Sequence, residues 1–186
     1  MRTLLMRFVS ALGAIIVATA FAAAAAFGPA GTAPPRGGDD PTAPVRVSKI
    51  GDFIQHLSWS PDGKKFLFTR IHKGKMGLWT MNVDGSELTP LLPKEPMPHF
   101  DGHWSPDGKK IIFVYDKLEG TDGKLRIEVV NADGAEQKTL LPHKAFDEAP
   151  RWSPDGKSIL WASTRDKNQE IFVADADGKK DRKSVV

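Results

Sequence analysis

Trp59-Ser60-Pro61-Asp62-Gly63 is the stretch that decides the fold, because it returns as Trp104-Ser105-Pro106-Asp107-Gly108 and as Trp152-Ser153-Pro154-Asp155-Gly156. The Ser-Pro-Asp-Gly copies lie 45 and 48 residues apart. A second marker follows each one in the same order: Asn82-Val83-Asp84-Gly85, Asn131-Ala132-Asp133-Gly134 and Asp175-Ala176-Asp177-Gly178. Two independent markers occurring three times in one order define an internal repeat.

The chemistry of the repeat reads as turns and strands. In Ser-Pro-Asp-Gly, proline presets φ, the serine and aspartate side chains bond nearby backbone N–H groups, and glycine accepts positive φ. Gly108 is therefore expected in the left-handed region. Short β-rich runs follow each turn: Phe66 to Thr69, Ile111 to Val114 and Ile159 to Ala162. After a polar loop come Leu78 to Met81, Ile127 to Val130 and Ile171 to Ala174, each running into an Asp-Gly hairpin turn. A last strand is expected at Leu88 to Leu92, Gln137 to Leu141 and Arg182 to Val186. Each unit is thus four short antiparallel strands, and no helical periodicity occurs after residue 27. A four-stranded unit of about 45 residues has the size of a β-propeller blade. One blade buries too little apolar surface alone, so each repeated tryptophan reads as a packing residue between blades.

Outward from the repeats, the N-terminus has its own character. Arg2 and Arg7 precede an uncharged run from Phe8 to Phe27 that ends in the small residues Ala22 to Ala26. This is the pattern of a secretory signal peptide over residues 1–27. The rival reading is an uncleaved anchor, the only route by which a membrane contact is expected. Either way the body lies outside the cytoplasm, periplasmic or secreted. Residues 28–44, rich in proline and glycine, read as a disordered linker. The folded body is expected at 45–186, with repeats at about 53–97, 98–145 and 146–186.

Composition narrows the chemistry. There is no cysteine, which excludes disulfides and thiolate chemistry. The net charge of +3 comes from 26 basic and 23 acidic residues, and removing Arg2 and Arg7 leaves the body nearly neutral. Nucleic acid is not indicated as a partner.

Trp-Ser-Pro-Asp-Gly-Lys-Lys, an apolar run and then Asp-Ala-Asp-Gly resemble the repeat of the TolB C-terminal propeller. The resemblance covers about Phe53 to Lys180 and implies an all-β, partial (three-bladed) propeller. It also implies a non-enzymatic binding or scaffold module with a protein partner in the cell envelope. The match departs from TolB in two ways: the α/β domain has no counterpart, and three repeats stand where TolB has six. Either two chains pair as a homodimer completing a six-bladed ring, or the chain is a fragment of a longer propeller; Val45 to Ile50 resembles an orphan outer strand. Open faces, expected near Trp59 and Phe66 on the first blade and near Trp161 and Phe172 on the last, predict self-association.

Similar repeats occur in prolyl oligopeptidase-like exopeptidases, so a truncated propeller lacking its hydrolase domain is the alternative. The Gly-x-Ser-x-Gly elbow of that domain does not occur here. His99 and His103 are four apart, a spacing that converges on a helix but not on a strand, and no His-Glu-x-x-His is present. Asp175-x-Asp177-Gly178 opens like a calcium loop but lacks the closing glutamate. No catalytic residue, cofactor or metal is expected. Binding candidates sit just ahead of each tryptophan, on the strand that lines the channel in such blades. Gln55, His56 and Ser58, then His99, Asp101 and His103, then Asp147, Glu148 and Arg151 vary while the turns stay fixed. Variation on a constant scaffold marks binding specificity, and His56, Asp101, His103, Asp147, Glu148 and Arg151 are the channel-facing candidates.

Overall fold

The computed structural model describes residues 46–48, 50–117, 124–141 and 145–183. The expected signal peptide and linker lie outside them. Twelve strands form three separate four-stranded antiparallel sheets among the described residues. The first sheet holds β1 (Phe53–Trp59), β2 (Lys65–His72), β3 (Lys75–Asn82) and β4 (Thr89–Pro90). In the second are β5 (His99–Trp104), β6 (Lys110–Lys117), β7 (Lys124–Asn131) and β8 (Lys138–Leu141). The third comprises β9 (Asp147–Trp152), β10 (Ser158–Asp166), β11 (Asn168–Asp175) and β12 (Arg182–Lys183). Spatial order follows chain order in every sheet, the up-and-down pattern of a propeller blade.

The repeated turn is the same object three times. Ser60 donates its hydroxyl to Asp62 at 2.7 Å and accepts the Lys65 N–H at 2.8 Å, while the Gly63 N–H closes on the Ser60 carbonyl at 2.9 Å. Ser105 and Asp107, then Ser153 and Asp155, repeat these bonds. The serine hydroxyl, and next the backbone N–H two residues on, hold all three aspartates below the usual carboxylate range. The carboxylates are committed to the turn. Gly63, Gly108 and Gly156 take φ of +70°, +71° and +69°, as the turn chemistry predicts.

Each first strand carries a bulge three residues before its tryptophan. His56, Asp101 and Ala149 have φ of +53°, +50° and +53°, and the cross-strand register slips at each site. A bulge sharpens local twist and re-aims side chains. Three non-glycine residues in the left-handed region at one repeat position mark a feature imposed by the blade.

Two apolar seams join the sheets. Leu67, Leu78, Leu91 and Leu92 of the first unit pack on Ile111, Phe113, Tyr115 and Val130 of the second, with Trp104 against them. Ile112, Val114, Leu125, Ile127, Val129, Leu140 and Leu141 meet Ile159, Trp161, Phe172 and Ala174 of the third, with Phe100 and Trp152 alongside. Burying one Leu, Ile or Phe contributes about 1.5–3 kcal/mol gross, against about 0–1 kcal/mol for an exposed ion pair such as Lys65–Glu87. The seams therefore hold the sheets together. The first strands β1, β5 and β9 converge, β5 touching both others, whereas among the described residues no contact joins β4, β8 and β12. The arrangement is radial.

Three expectations need adjusting. The fourth strand of the first sheet is shorter than expected, β4 having two residues, while the expected strand at Arg182 to Val186 falls within the described residues only at Arg182–Lys183. Trp161 and Phe172 are not on an open face: they are 0% and 1% exposed, turned into the second seam. The open face of the third sheet instead carries Leu160 and Ile171. Arg46–Ser48 is not a strand, yet the Val47 carbonyl lies 2.5 Å from where a Cβ on Gly85 would stand. The Leu91 and Leu140 carbonyls abut Gly134 and Gly178 in the same way. Val47 thus occupies, on the first sheet, the place that a preceding blade's fourth strand takes on the others.

Candidate functional site

Where the first strands converge, the bulges bring polar side chains from three sheets together. Asp101 lies at the centre, its side chain 8% exposed. Its backbone N–H donates to Thr69 Oγ1 at 3.0 Å, tying the second sheet to the first. One carboxylate oxygen lies 3.2 Å from His103 Nε2, and the other accepts from Arg151 at 3.3 Å, tying the second sheet to the third. Burial pushes the Asp101 carboxyl up, but the His103 hydrogen bond and the charge and hydrogen bond of Arg151 outweigh it and hold the group below its ordinary value. Asp101 is therefore ionised at neutral pH.

His56, from the first sheet, reaches the same place. Its Nδ1 is 3.2 Å from Thr69 Oγ1 and its ring stacks on Phe100 at 6.1 Å. Partial burial pushes the imidazole down, with Asp101 opposing and Arg151 and His103 adding to the fall, so His56 is neutral at pH 7. Arg151 also donates to its neighbour's Pro150 carbonyl at 2.8 Å, yet its side chain is 42% exposed. The buried carboxylate thus anchors a guanidinium that is partly open to solvent.

Thr69 beside His56 could suggest an activated hydroxyl, but Thr69 is fully buried and its oxygen already accepts the Asp101 N–H. A nucleophile must reach its substrate. A partly exposed Arg beside a histidine instead matches a partner's carboxylate or backbone carbonyl.

Of the six candidates, the structure brings His56, Asp101, His103 and Arg151 together and leaves two apart. Asp147 is fully buried opposite Ser163, where its charge supports that of Arg165, the partner of Asp181. Glu148 accepts from Gln169 on β11. Both precede the Ala149 bulge, so they keep the regular pairing of the sheet while Arg151 is turned to the convergence. His99 is 4% exposed, donating from Nδ1 to the Met97 carbonyl at 2.9 Å and packing edge-on to Phe113. It lies with the first seam, away from His103. Asp177 is occupied by Lys179, whose Nζ is 2.9 Å away. Thr69 and Phe100 escaped the reading by sequence, since each joins the site only through contact with another sheet.

No family model matches the chain. It is 31% identical over 140 residues to the Tol-Pal system protein TolB of Legionella pneumophila, an alignment covering 73% of this chain and 32% of the relative. The chain spans between 14% and 37% of the length of the first curated relatives it matches. Among solved structures, TolB from Acinetobacter baumannii superposes with a TM-score of 0.60 at 22% identity, over 69% of this chain and 31% of that one. A puromycin hydrolase superposes with a TM-score of 0.54 at 17% identity, over 72% of this chain and 22% of that enzyme. At such identity a likeness speaks for the fold alone. With the repeated Trp-Ser-Pro-Asp-Gly turns, three radial four-stranded sheets and TolB relatives in both comparisons, this chain is a TolB-type β-propeller repeat protein.

Proposed function

We propose that the chain is an exported, non-enzymatic binding or scaffold module of the cell envelope, docking a protein partner on the cluster around Asp101. The observation that carries this reading is the cluster itself. Four polar side chains from three sheets meet at the repeat positions that vary, on a frame whose turns do not. The relatives are Tol-Pal system proteins, which supports an envelope partner and a periplasmic location. The signal-like N-terminus supports export. The alternative, the propeller of an exopeptidase without its hydrolase domain, has only the shared fold in its favour.

Arg151 is the group to test, because its guanidinium is the most solvent-open charged group bonded to Asp101. Titration against the purified soluble domain of the peptidoglycan-associated lipoprotein from the same cell should show binding by the native chain. Arg151→Ala should weaken it about tenfold, or about 1.4 kcal/mol, in a chain that still folds but melts lower, because buried Asp101 loses one of its two partners. Equal affinity for both chains would remove the cluster from the docking surface.

A further inference from the structure

We infer that the open face of the third sheet and the open face of the first are the two halves of one blade-to-blade joint, and that a second copy of this chain supplies each with its neighbour. The argument is positional. Leu67, Ile112 and Leu160 hold one repeat position, opposite Ser58, His103 and Arg151 respectively. Leu78, Ile127 and Ile171 hold another, opposite Thr69, Val114 and Ala162. In the first two sheets these residues are all 0% exposed beneath the following sheet; Leu160 and Ile171 are 42% and 53% exposed. Among the described residues, the third sheet presents the same apolar pair with no sheet packed on it.

The first sheet presents the other half. Trp104 and Trp152 pack into the seams, while Trp59 is 61% exposed, with Leu57 and Phe53 beside it. The turns repeat the asymmetry. A Cβ on Gly108 or Gly156 would lie 3.8 Å or 3.6 Å from Pro61 or Pro106 of the preceding turn, whereas Gly63 has nothing within 4 Å. Pro154 is the turn proline of the third repeat, and in the joint it would stand against Gly63 of the other copy.

The occupant is therefore a sheet of this same repeat, and the joint continues an interface the chain already makes twice. Joined head to tail, two arcs use each open face once, which is the condition for a closed two-fold pair. Closure would set two Asp101 clusters around one opening. This inference stands independently of what the cluster binds.

The test is sedimentation velocity of the exported chain over a range of concentrations, with the variants Ile171→Asp and Trp59→Asp. The native chain should run as a dimer, and each variant should weaken pairing at least about tenfold. Because the faces are different, mixing the two variants leaves one sound joint and should restore part of the dimer. A native monomer at every concentration would overturn the inference, as it would if further sheets of a longer polypeptide covered these faces. Dimers indifferent to Ile171→Asp, or failure of the mixture to recover, would also overturn it.

Discussion

Gly134→Ala is expected to lower stability by about 3–4 kcal/mol, a large loss for one methyl group. Two costs add. Gly134 has φ +86°, where a side chain costs about 1–2 kcal/mol. Its new Cβ would also stand 2.4 Å from the Leu91 carbonyl oxygen. That atom belongs to the backbone beside the first seam, next to buried Leu92, and cannot rotate away. The clash must part the hairpin from the segment it abuts, an overpacking cost of about 1–3 kcal/mol. Gly63 separates the two costs. Its φ is +70°, yet nothing lies within 4 Å of its would-be Cβ, so Gly63→Ala should cost only about 1 kcal/mol. Chemical denaturation of both variants reads the difference directly, and equal losses would mean that the Gly134 hairpin does not touch Leu91.

The second large effect separates two copies of one motif residue. Trp104→Ala should cost about 3–4 kcal/mol, because the ring fills the first seam beside Leu67, Leu78 and Ile111. Trp59→Ala should cost less than about 1 kcal/mol, because Trp59 is 61% exposed and keeps chiefly its edge contact with Phe66 at 4.6 Å. The comparison belongs at low protein concentration, where a second copy cannot cover Trp59. Similar losses for both would place Trp59 in a packed interface and dissolve the distinction between an open and a closed sheet.

Much of this is legible in the sequence. Ser60, Asp62 and Gly63 announce their turn because its hydrogen bonds run between residues two to five apart. The blade count follows from recurrence, and the seam role of Trp104 and Trp152 from the inability of one sheet to bury its own faces. Which face a residue takes is not legible. The repeat alone places Trp161 and Phe172 near the open surface, but a strand alternates faces with every residue, and only the register across the Ala149 bulge shows that Leu160 and Ile171 point outward instead. The same bulge explains the split among the polar candidates. Arg151 lies after it and joins Asp101; Asp147 and Glu148 lie before it and stay with their own sheet. Thr69 was invisible for another reason, since its bond to the Asp101 N–H spans 32 residues and two sheets.

The central claim is that each sheet stacks on the next through its first strand, and one contact tests it most directly. Gly102, in the bulge of β5, sits so close to the first sheet that a Cβ there would stand 2.8 Å from a Leu78 methyl and 3.0 Å from a Leu67 methyl. Nuclear Overhauser spectra of the chain should therefore show strong cross-peaks from the Gly102 Hα protons to the Leu67 and Leu78 methyl groups. If those peaks are missing while the cross-strand peaks within each sheet are present, the sheets form but do not stack, and the radial account is contradicted.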